Sequence, residues 1–240
     1  MTSAPLHDTP DASKGAFVRE MFASIAPRYD LANRVLTGGL DERWRRGAIA
    51  VLAPAPHARI LDCCCGTGDL VFHLLRVEPD LNVTGIDFCA PMLERAQHRA
   101  RGRRGATFVQ GDVMAMPFAD ETFDGATMGF SLRNVVDVDG TLREVLRVLR
   151  PGGRFVNLDV SKAPNRTFKR LFDLYFYGLV PLLGGIVGGS RMAYTYLPNS
   201  LTHHPNAPEL RERFARAGFV NAGFRRLMGG AIAIHFGTKP

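Results

Sequence analysis

The chain has 240 residues, and 30 Lys and Arg against 23 Asp and Glu leave it a net charge of +7. With 46% hydrophobic and 22% charged residues it can build a core, which excludes a disordered or fibrous chain; the length suits one α/β domain or two small ones. The basic excess admits nucleic acid or an anionic membrane surface as a partner, and serves solubility equally well.

Residues 1–15 carry Pro5, Asp8, Pro10 and Asp11 and no apolar run, so no secretory signal is expected there. The acids, and the absence of Arg before Arg19, argue against an organellar transit peptide. The segment reads as a mobile tail, and residues 16–240 as a single domain. Residues 16–53 read as helices, with Phe17, Met21 and Phe22 on one face and a polar, turn-rich stretch between 24 and 33.

Strands and helices then alternate. Strands are expected at 59–63, 83–87, 107–112, 123–130 and 154–160, and helices over 69–77, through Met92 to Ala100, and through Leu142, Val145, Leu146 and Leu149. Pro151-Gly152-Gly153 should stop the last of these helices. This alternation implies βαβ units and a parallel sheet. From about 161 to 207 the pattern breaks into an apolar, Gly-rich insertion. Its longest uncharged stretch, Leu174 to Ser190, has 17 residues with five Gly and Pro181, too short and too broken for a membrane span. A helix through Leu210 and Phe214 follows, stopped by Gly218. Two β-prone runs at 222–228 and 231–237, joined by Gly229-Gly230, give a hairpin signal. Two final antiparallel strands added to five parallel ones make a seven-stranded sheet.

Cys63, Cys64 and Cys65 are consecutive, and Cys89 stands apart. Adjacent residues alternate faces in a strand, so these thiols suit neither one metal ion nor a disulfide framework; they read as buried and reduced, and no metal is expected.

The sharpest local signal is Ile60-Leu-Asp-Cys-Cys-Cys-Gly-Thr-Gly-Asp69: a strand, a Gly-containing turn and a helix start. Gly66 and Gly68 let a ligand approach the backbone, and the helix N-terminus leaves amide donors free. Asp87 ends the next strand, 25 positions after Asp62, where an acid can accept from ribose hydroxyls. A dinucleotide site would want a third Gly where Val71 stands, and Asp69 would oppose its phosphates. S-adenosylmethionine carries no phosphate and tolerates that acid. An ordinary strand-to-helix turn is the alternative at this point; Asp112, at the end of the third strand, weighs against it by offering a polar group to an adenine edge.

Together Leu61-Asp62, Cys65-Gly66-Thr67-Gly68, Asp87, Gly111-Asp112, Phe123-Asp124 and Leu149-Arg-Pro-Gly-Gly153 resemble class I S-adenosylmethionine-dependent methyltransferases, with a Rossmann-like seven-stranded sheet. More specific runs are Phe22-Ala-Ser-Ile-Ala-Pro-Arg-Tyr-Asp-Leu-Ala-Asn-Arg-Val-Leu36, Gly39-Leu-Asp-Glu-Arg-Trp-Arg45, Phe130-Ser-Leu-Arg-Asn-Val135, Tyr194-Thr-Tyr-Leu-Pro-Asn-Ser200 and His204-Pro205. These are similar to the menaquinone/ubiquinone biosynthesis C-methyltransferases over roughly 16–238. The resemblance implies S-adenosylmethionine as cosubstrate. Thr67 and the backbone of Gly66 and Gly68 would take its methionine end, Asp87 its ribose, and Asp112 with Val113 its adenine, with Asp62 and Phe88 beside them. Two departures stand out: Cys64 where Gly or Ala is usual, and Gly129 where a Ser is expected, with Ser131 as the substitute.

The resemblance further implies methylation of a ring carbon of a prenylated quinol, demethylmenaquinol in preference to a ubiquinone precursor. Losing a hydroxyl proton makes the ortho carbon nucleophilic, so catalysis needs positioning and help with deprotonation. Arg133 stays protonated and suits a quinolate or a polarised water. Asn134 could fix that water or a ring oxygen. Tyr29, Asp30 and His204 are further candidates, His204 having the most suitable unperturbed pKa. Phe130, Tyr194 and Tyr196 are placed to stack on the ring. The aromatic insertion is expected as a helical lid over the prenyl tail, and Lys162, Arg166, Lys169 and Arg170 suit transient contact with an anionic membrane surface from the cytoplasmic side. Against nucleic acid, the run after the fourth strand reads Gly129-Phe-Ser-Leu-Arg-Asn134, without the Pro-Pro of base amino-methylating enzymes, and no Pro-Cys pair is present. Nothing in the sequence excludes a homodimer.

Overall fold

The computed structural model describes residues 11–165, 170, 172–202 and 204–240. The first helix, α1, spans Asp11–Ile25. Residues 11–15, expected in the tail, therefore belong to a helix, and 1–10 lie outside the described residues. The stretch from 24 to 33, expected as turns, stays helical: a 3₁₀ turn at Ala26–Arg28 leads into α2, Tyr29–Thr37. Pro27 stands in the first turn, where its missing N–H costs nothing. Gly38 and Gly39 then turn the chain through left-handed backbone into α3, Leu40–Leu52.

The alternating core follows as β1 Arg59–Cys63, α4 Asp69–Val77, β2 Asn82–Asp87, α5 Ala90–Ala100, β3 Ala106–Gln110, β4 Phe123–Gly129, α6 Val138–Val148 and β5 Leu149–Val160. β3 stops at Gln110, so Asp112 lies in the turn beyond it. β5 starts at Leu149, earlier than expected, because Leu149 pairs with Phe123 before the chain detours through Gly152. The insertion is helical where it is described: a π-helical turn at Leu174–Leu179, α7 at Val180–Gly188 and α8 at Arg191–Thr202. A capping box of Asn206 and Glu209 starts α9, Ala207–Arg216. β6 Val220–Leu227 and β7 Ile232–Thr238 form the expected hairpin.

The sheet order is β3-β2-β1-β4-β5-β7-β6. β1 to β5 pair in parallel, and β7 inserts between β5 and β6, antiparallel to both. Only β7 is reversed, so the last two strands are not simply appended in order. One core packs α1, α3, α4, α5 and the insertion onto one sheet face; the other packs α6 and α9 onto the opposite face. The order reverses between β1 and β4, and there an open α/β sheet leaves a crevice at its carboxyl edge.

Candidate active site

A cavity sits in that crevice, with about 1090 Å³ of empty space, part of it open to solvent. Its floor is the β1 turn. Cys64 and Gly66 take positive φ there, 52° and 54°. The Gly66 amide donates to Asp87 Oδ2 at 2.8 Å and the Cys89 amide to Oδ1 at 2.9 Å, so the acid ending β2 holds the glycine turn in place. Each carboxylate oxygen keeps a second lone pair for a ribose hydroxyl. Burial pushes Asp87 up to about 6, against the pull of these amides. Asp62, on β1, also lines the cavity. Burial pushes it up to about 7, although Thr127 Oγ1 donates to Oδ1 at 2.7 Å.

Phe88, Asp112 and Val113 form the far wall, and α1 closes the cavity with Val18, Arg19 and Phe22. The Arg19 guanidinium stands 5.4 Å above the Phe88 ring. Asp112 Oδ1 accepts from the Met114 amide. Gly129 and Ser131 complete the β4 side. A Cβ at Gly129 would come within 2.8 Å of Leu70 Cδ1, the movable end of that side chain, and the Ser131 hydroxyl donates to the Gly129 carbonyl at 3.0 Å. Asn134 lies on the same wall, with both amide atoms buried and unbonded to protein. A ligand with donors and acceptors at its amino-acid end fits that orphaned amide. Asn134, expected on the acceptor side, lines this acid-lined cavity in the structure.

Gly68 is not on the wall. It takes φ 85° as the N-cap of α4, and a Cβ there would press on Phe72 and Phe108 at 2.9 and 3.3 Å. Its requirement is close helix–strand packing. Thr67 lines the cavity, but its hydroxyl donates to Asp30 Oδ1 at 2.6 Å.

Beside this cavity runs an apolar groove with about 1830 Å³ of empty space. Leu36 of α2 and Trp44 of α3 form one side; Phe172, Tyr175, Phe176 and Leu183 of the insertion form the other. Phe130 and Arg133 stand at its inner end. Phe130 takes φ 59°, which turns its ring beneath Trp44, 6.3 Å between centroids. Among the described residues, Phe22, Tyr29 and Arg45 line both spaces.

Arg133 is buried. Its Nη1 is bonded to Asp159 Oδ1 and, at 2.6 Å, to the Phe130 carbonyl. Tyr29, pushed up by burial, stands between the two spaces. His204 lines neither. It is 5% exposed, and burial pushes its pKa down. Asp30 lines neither as well: it accepts from Thr67 and pairs with Arg99 Nη1 at 3.2 Å. Tyr194 is packed against Gly184 and Gly188, and Tyr196 against Phe17, 5.4 Å between ring centroids; neither faces the groove.

An ion network that no hydrophobic pattern in the sequence announces joins the N-terminal helices to the β1 turn. Arg99 donates to the Thr67 carbonyl at 2.9 Å and to Asp69 Oδ1 at 2.8 Å, while Asp69 Oδ2 pairs with Arg45 Nη2 at 3.2 Å. Burial alone would raise Asp69, yet Arg45 and Arg99 hold it below the usual carboxylate range. Arg45 also meets Asp41, four residues back on α3. That i, i+4 spacing within the Leu40–Arg45 run was the available signal. Asp159, the partner of Arg133, carried no such local cue. Among the described residues, no group of three His, Cys, Asp or Glu is placed to hold a metal ion.

A 3-2-1-4-5-7-6 sheet, an acid ending β2 beneath a glycine turn and an acid-lined cavity define the class of S-adenosylmethionine-dependent methyltransferases. The chain belongs to the ubiE/COQ5 methyltransferase family, whose model matches residues 10–239. It is 41% identical to the demethylmenaquinone methyltransferase of Desulfitobacterium hafniense, covering 98% of this chain and 94% of that one. It is 42% identical to the enzyme of the same name from Thermus thermophilus, covering 92% of this chain and all of that one. A ubiquinone/menaquinone biosynthesis C-methyltransferase of Desulfotalea psychrophila is 41% identical over 95% of this chain and 92% of its own. In fold, the chain is similar to a solved S-adenosylmethionine-dependent methyltransferase of Thermotoga maritima (TM-score 0.62, 19% identity, 92% of this chain and 99% of that one). It is likewise similar to the [4+2]-cyclase SpnF (TM-score 0.68, 20% identity, 93% and 95%).

Proposed function

We propose that this methyltransferase moves the methyl group of S-adenosylmethionine to a ring carbon of demethylmenaquinol, giving menaquinol. The observation that carries this reading is the meeting of a nucleoside-sized, acid-lined cavity with a long apolar groove at Phe22, Tyr29 and Arg45. The cosubstrate supplies an electrophilic methyl at its sulfonium. Asp87 accepts from its ribose, Phe88 with Val113 encloses its adenine, and Asn134 satisfies its amino-acid end. The acidic surroundings of Asp62, Asp69 and Asp87 favour the positive charges it carries.

The groove takes the acceptor. Phe130 and Trp44 offer flat faces to a fused ring, and Phe172, Phe176 and Leu183 enclose the first units of a prenyl tail. Arg133, neutralised by Asp159, presents a fixed hydrogen-bonding edge at the inner end and takes no proton itself. The tail continues out of the mouth, where Leu179, Leu182 and Ile186 are exposed, into a membrane surface.

The test offers purified enzyme and labelled S-adenosylmethionine with demethylmenaquinol and with the demethylated ubiquinol precursor in parallel. We expect label in the naphthoquinol. Label in the benzoquinol alone would overturn the substrate assignment. Label in both would match the relative from Desulfotalea psychrophila, whose name covers both pathways.

A further inference from the structure

We propose that Arg45 is a catalytic residue of this site: its guanidinium receives the acceptor oxygen next to the reacting carbon and stabilises that oxygen as an oxyanion. The inference rests on the quinol reading above and adds a role to a residue that reading leaves as scaffold.

Place is the first argument. Phe22, Tyr29 and Arg45 form the partition between cavity and groove, and Arg45 alone of the three carries a charge. The methyl group must cross at this partition, so the acceptor's reacting carbon and its neighbouring oxygen must come up to it. Arg133, the other buried arginine on the groove, does not reach the cofactor cavity, and Asp159 directly offsets its charge.

Spare bonding capacity is the second. Arg45 is 5% exposed, yet its two ion pairs are long: Nη1 to Asp41 Oδ2 at 3.4 Å and Nη2 to Asp69 Oδ2 at 3.2 Å. A committed charge-assisted pair closes to about 2.7–2.9 Å. Both carboxylates are shared with others, Asp41 with Thr37 Oγ1 at 2.8 Å and Asp69 with Arg99 at 2.8 Å. The guanidinium carbon rests 5.5 Å above the Phe130 ring, so an aromatic acceptor lying beside Phe130 meets it edge-on.

Charge is the third. A bare cation here would repel the sulfonium. Arg45 and Arg99 with Asp30, Asp41 and Asp69 sum to −1, which leaves the sulfonium welcome while the long Arg45 pairs leave its guanidinium able to donate to the oxygen. In a water-poor partition that edge lowers the energy of an aryloxide. Arg45 stays protonated throughout and takes no proton from the acceptor. The hydroxyl proton passes to water in the groove. The ring carbon then forms the new C–C bond as the C–S bond breaks, its electron pair stays on sulfur, and the displaced ring proton also leaves to water.

The variants are Arg45→Gln and Arg45→Lys. The first readout is free of turnover: 2-naphthol is bound to the protein saturated with S-adenosylhomocysteine, and its ionisation is followed by absorbance as pH rises. We expect the bound naphthol to ionise at least tenfold more readily on wild type than on Arg45→Gln, with Arg45→Lys between them. The second is the pH profile of kcat, whose acidic limb should move to higher pH in Arg45→Gln. Equal naphthol ionisation on wild type and Arg45→Gln overturns the proposal, as does failure of the naphthol to bind wild type. So does a fall in kcat with an unmoved pH profile and weakened S-adenosylhomocysteine binding, which would make Arg45 a scaffold for the turn. If wild type methylates neither quinol, the substrate reading fails while the naphthol result still decides Arg45.

Discussion

Asp62 and Asp87 face the acid-lined cavity, and burial has pushed them up to about 7 and about 6. An unfolded Asp ionises near pH 4, about two to three units lower. Both folded values are raised, so each carboxyl favours the fold in its protonated form; that contribution is complete below about pH 4 and is lost as pH rises through 6 and 7. A ligand bearing an ammonium and a sulfonium reverses the preference and binds the ionised pair. S-adenosylmethionine affinity should therefore rise about tenfold or more between pH 5.5 and 7.5, with protons released on binding near pH 6. Calorimetry in buffers of different ionisation enthalpy measures both, and a pH-independent affinity with no proton release would refute the assignment. Arg133 poses a different problem at the same scale. Removing it by Arg133→Ala leaves Asp159 as an uncompensated buried charge, a loss of about 3–5 kcal/mol. The single variant should lose much of its Tm, and Arg133→Met with Asp159→Leu should regain it without regaining turnover. A double variant no more stable than the single would show that the pair is not a coupled unit.

Helices α2, α3 and α5 are pinned to the β1 turn by side chains that no hydrophobic pattern announces. Arg99 reaches from α5 to Asp30 of α2, to the Thr67 carbonyl and to Asp69 at the start of α4, while about a third of its side chain remains in water. Arg99→Ala should loosen the cofactor turn more than the fold: S-adenosylhomocysteine affinity down severalfold, Tm changed little, and kcat at saturating cofactor within about twofold of wild type, because an exposed ion pair is worth at most about 1 kcal/mol. A large drop in Tm with affinity intact would place Arg99 in the stability of α5 instead. This is also where the sequence was least legible. Strands β1, β2 and β4 could be read because they are short, largely apolar runs, and α4 because it begins at a Gly-Asp step. The Asp62–Asp87 spacing likewise pointed to two acids on one cavity wall, since Asp62 stands one residue before the end of β1 and Asp87 ends β2. What failed depended on long-range placement. β7 enters between β5 and β6 through pairings distant in sequence, such as Leu158 with Ile234 across 76 residues. Tyr194 looks like an exposed aromatic in its own run, but Gly184 and Gly188 leave a slot on α7 that only an adjacent ring can fill. His204 titrates suitably as a free residue and is then buried, lining neither space.

At the scale of the whole molecule, apolar exposure is concentrated around the groove mouth. Leu174, Leu182 and Ile186 of the insertion are 73%, 56% and 68% exposed, and Val35 and Leu40 stand exposed on the α2–α3 side. Leu182 and Ile186 are four residues apart on α7 and share a face. Among the described residues no helix is long and apolar enough to cross a membrane. The proposed substrate has a tail that partitions into the bilayer, so the mouth must meet the lipid surface from outside. Of the four cations expected to help, Arg166 and Lys169 lie outside the described residues, Arg170 is exposed, and Lys162 donates to the Thr202 carbonyl. The net charge of +7 adds a general attraction to an anionic leaflet, at about 1 kcal/mol for each basic residue near the surface. Sedimentation with phosphatidylglycerol-containing vesicles should therefore retain the protein at low salt and release it at high salt. Leu182→Ser with Ile186→Ser should weaken retention at any salt. Neither residue lines the groove, so the same variant should methylate a short-tailed, water-soluble acceptor at the wild-type rate. Retention unchanged in the double variant would show that attraction to the leaflet is electrostatic alone and that the exposed face of α7 takes no part in it.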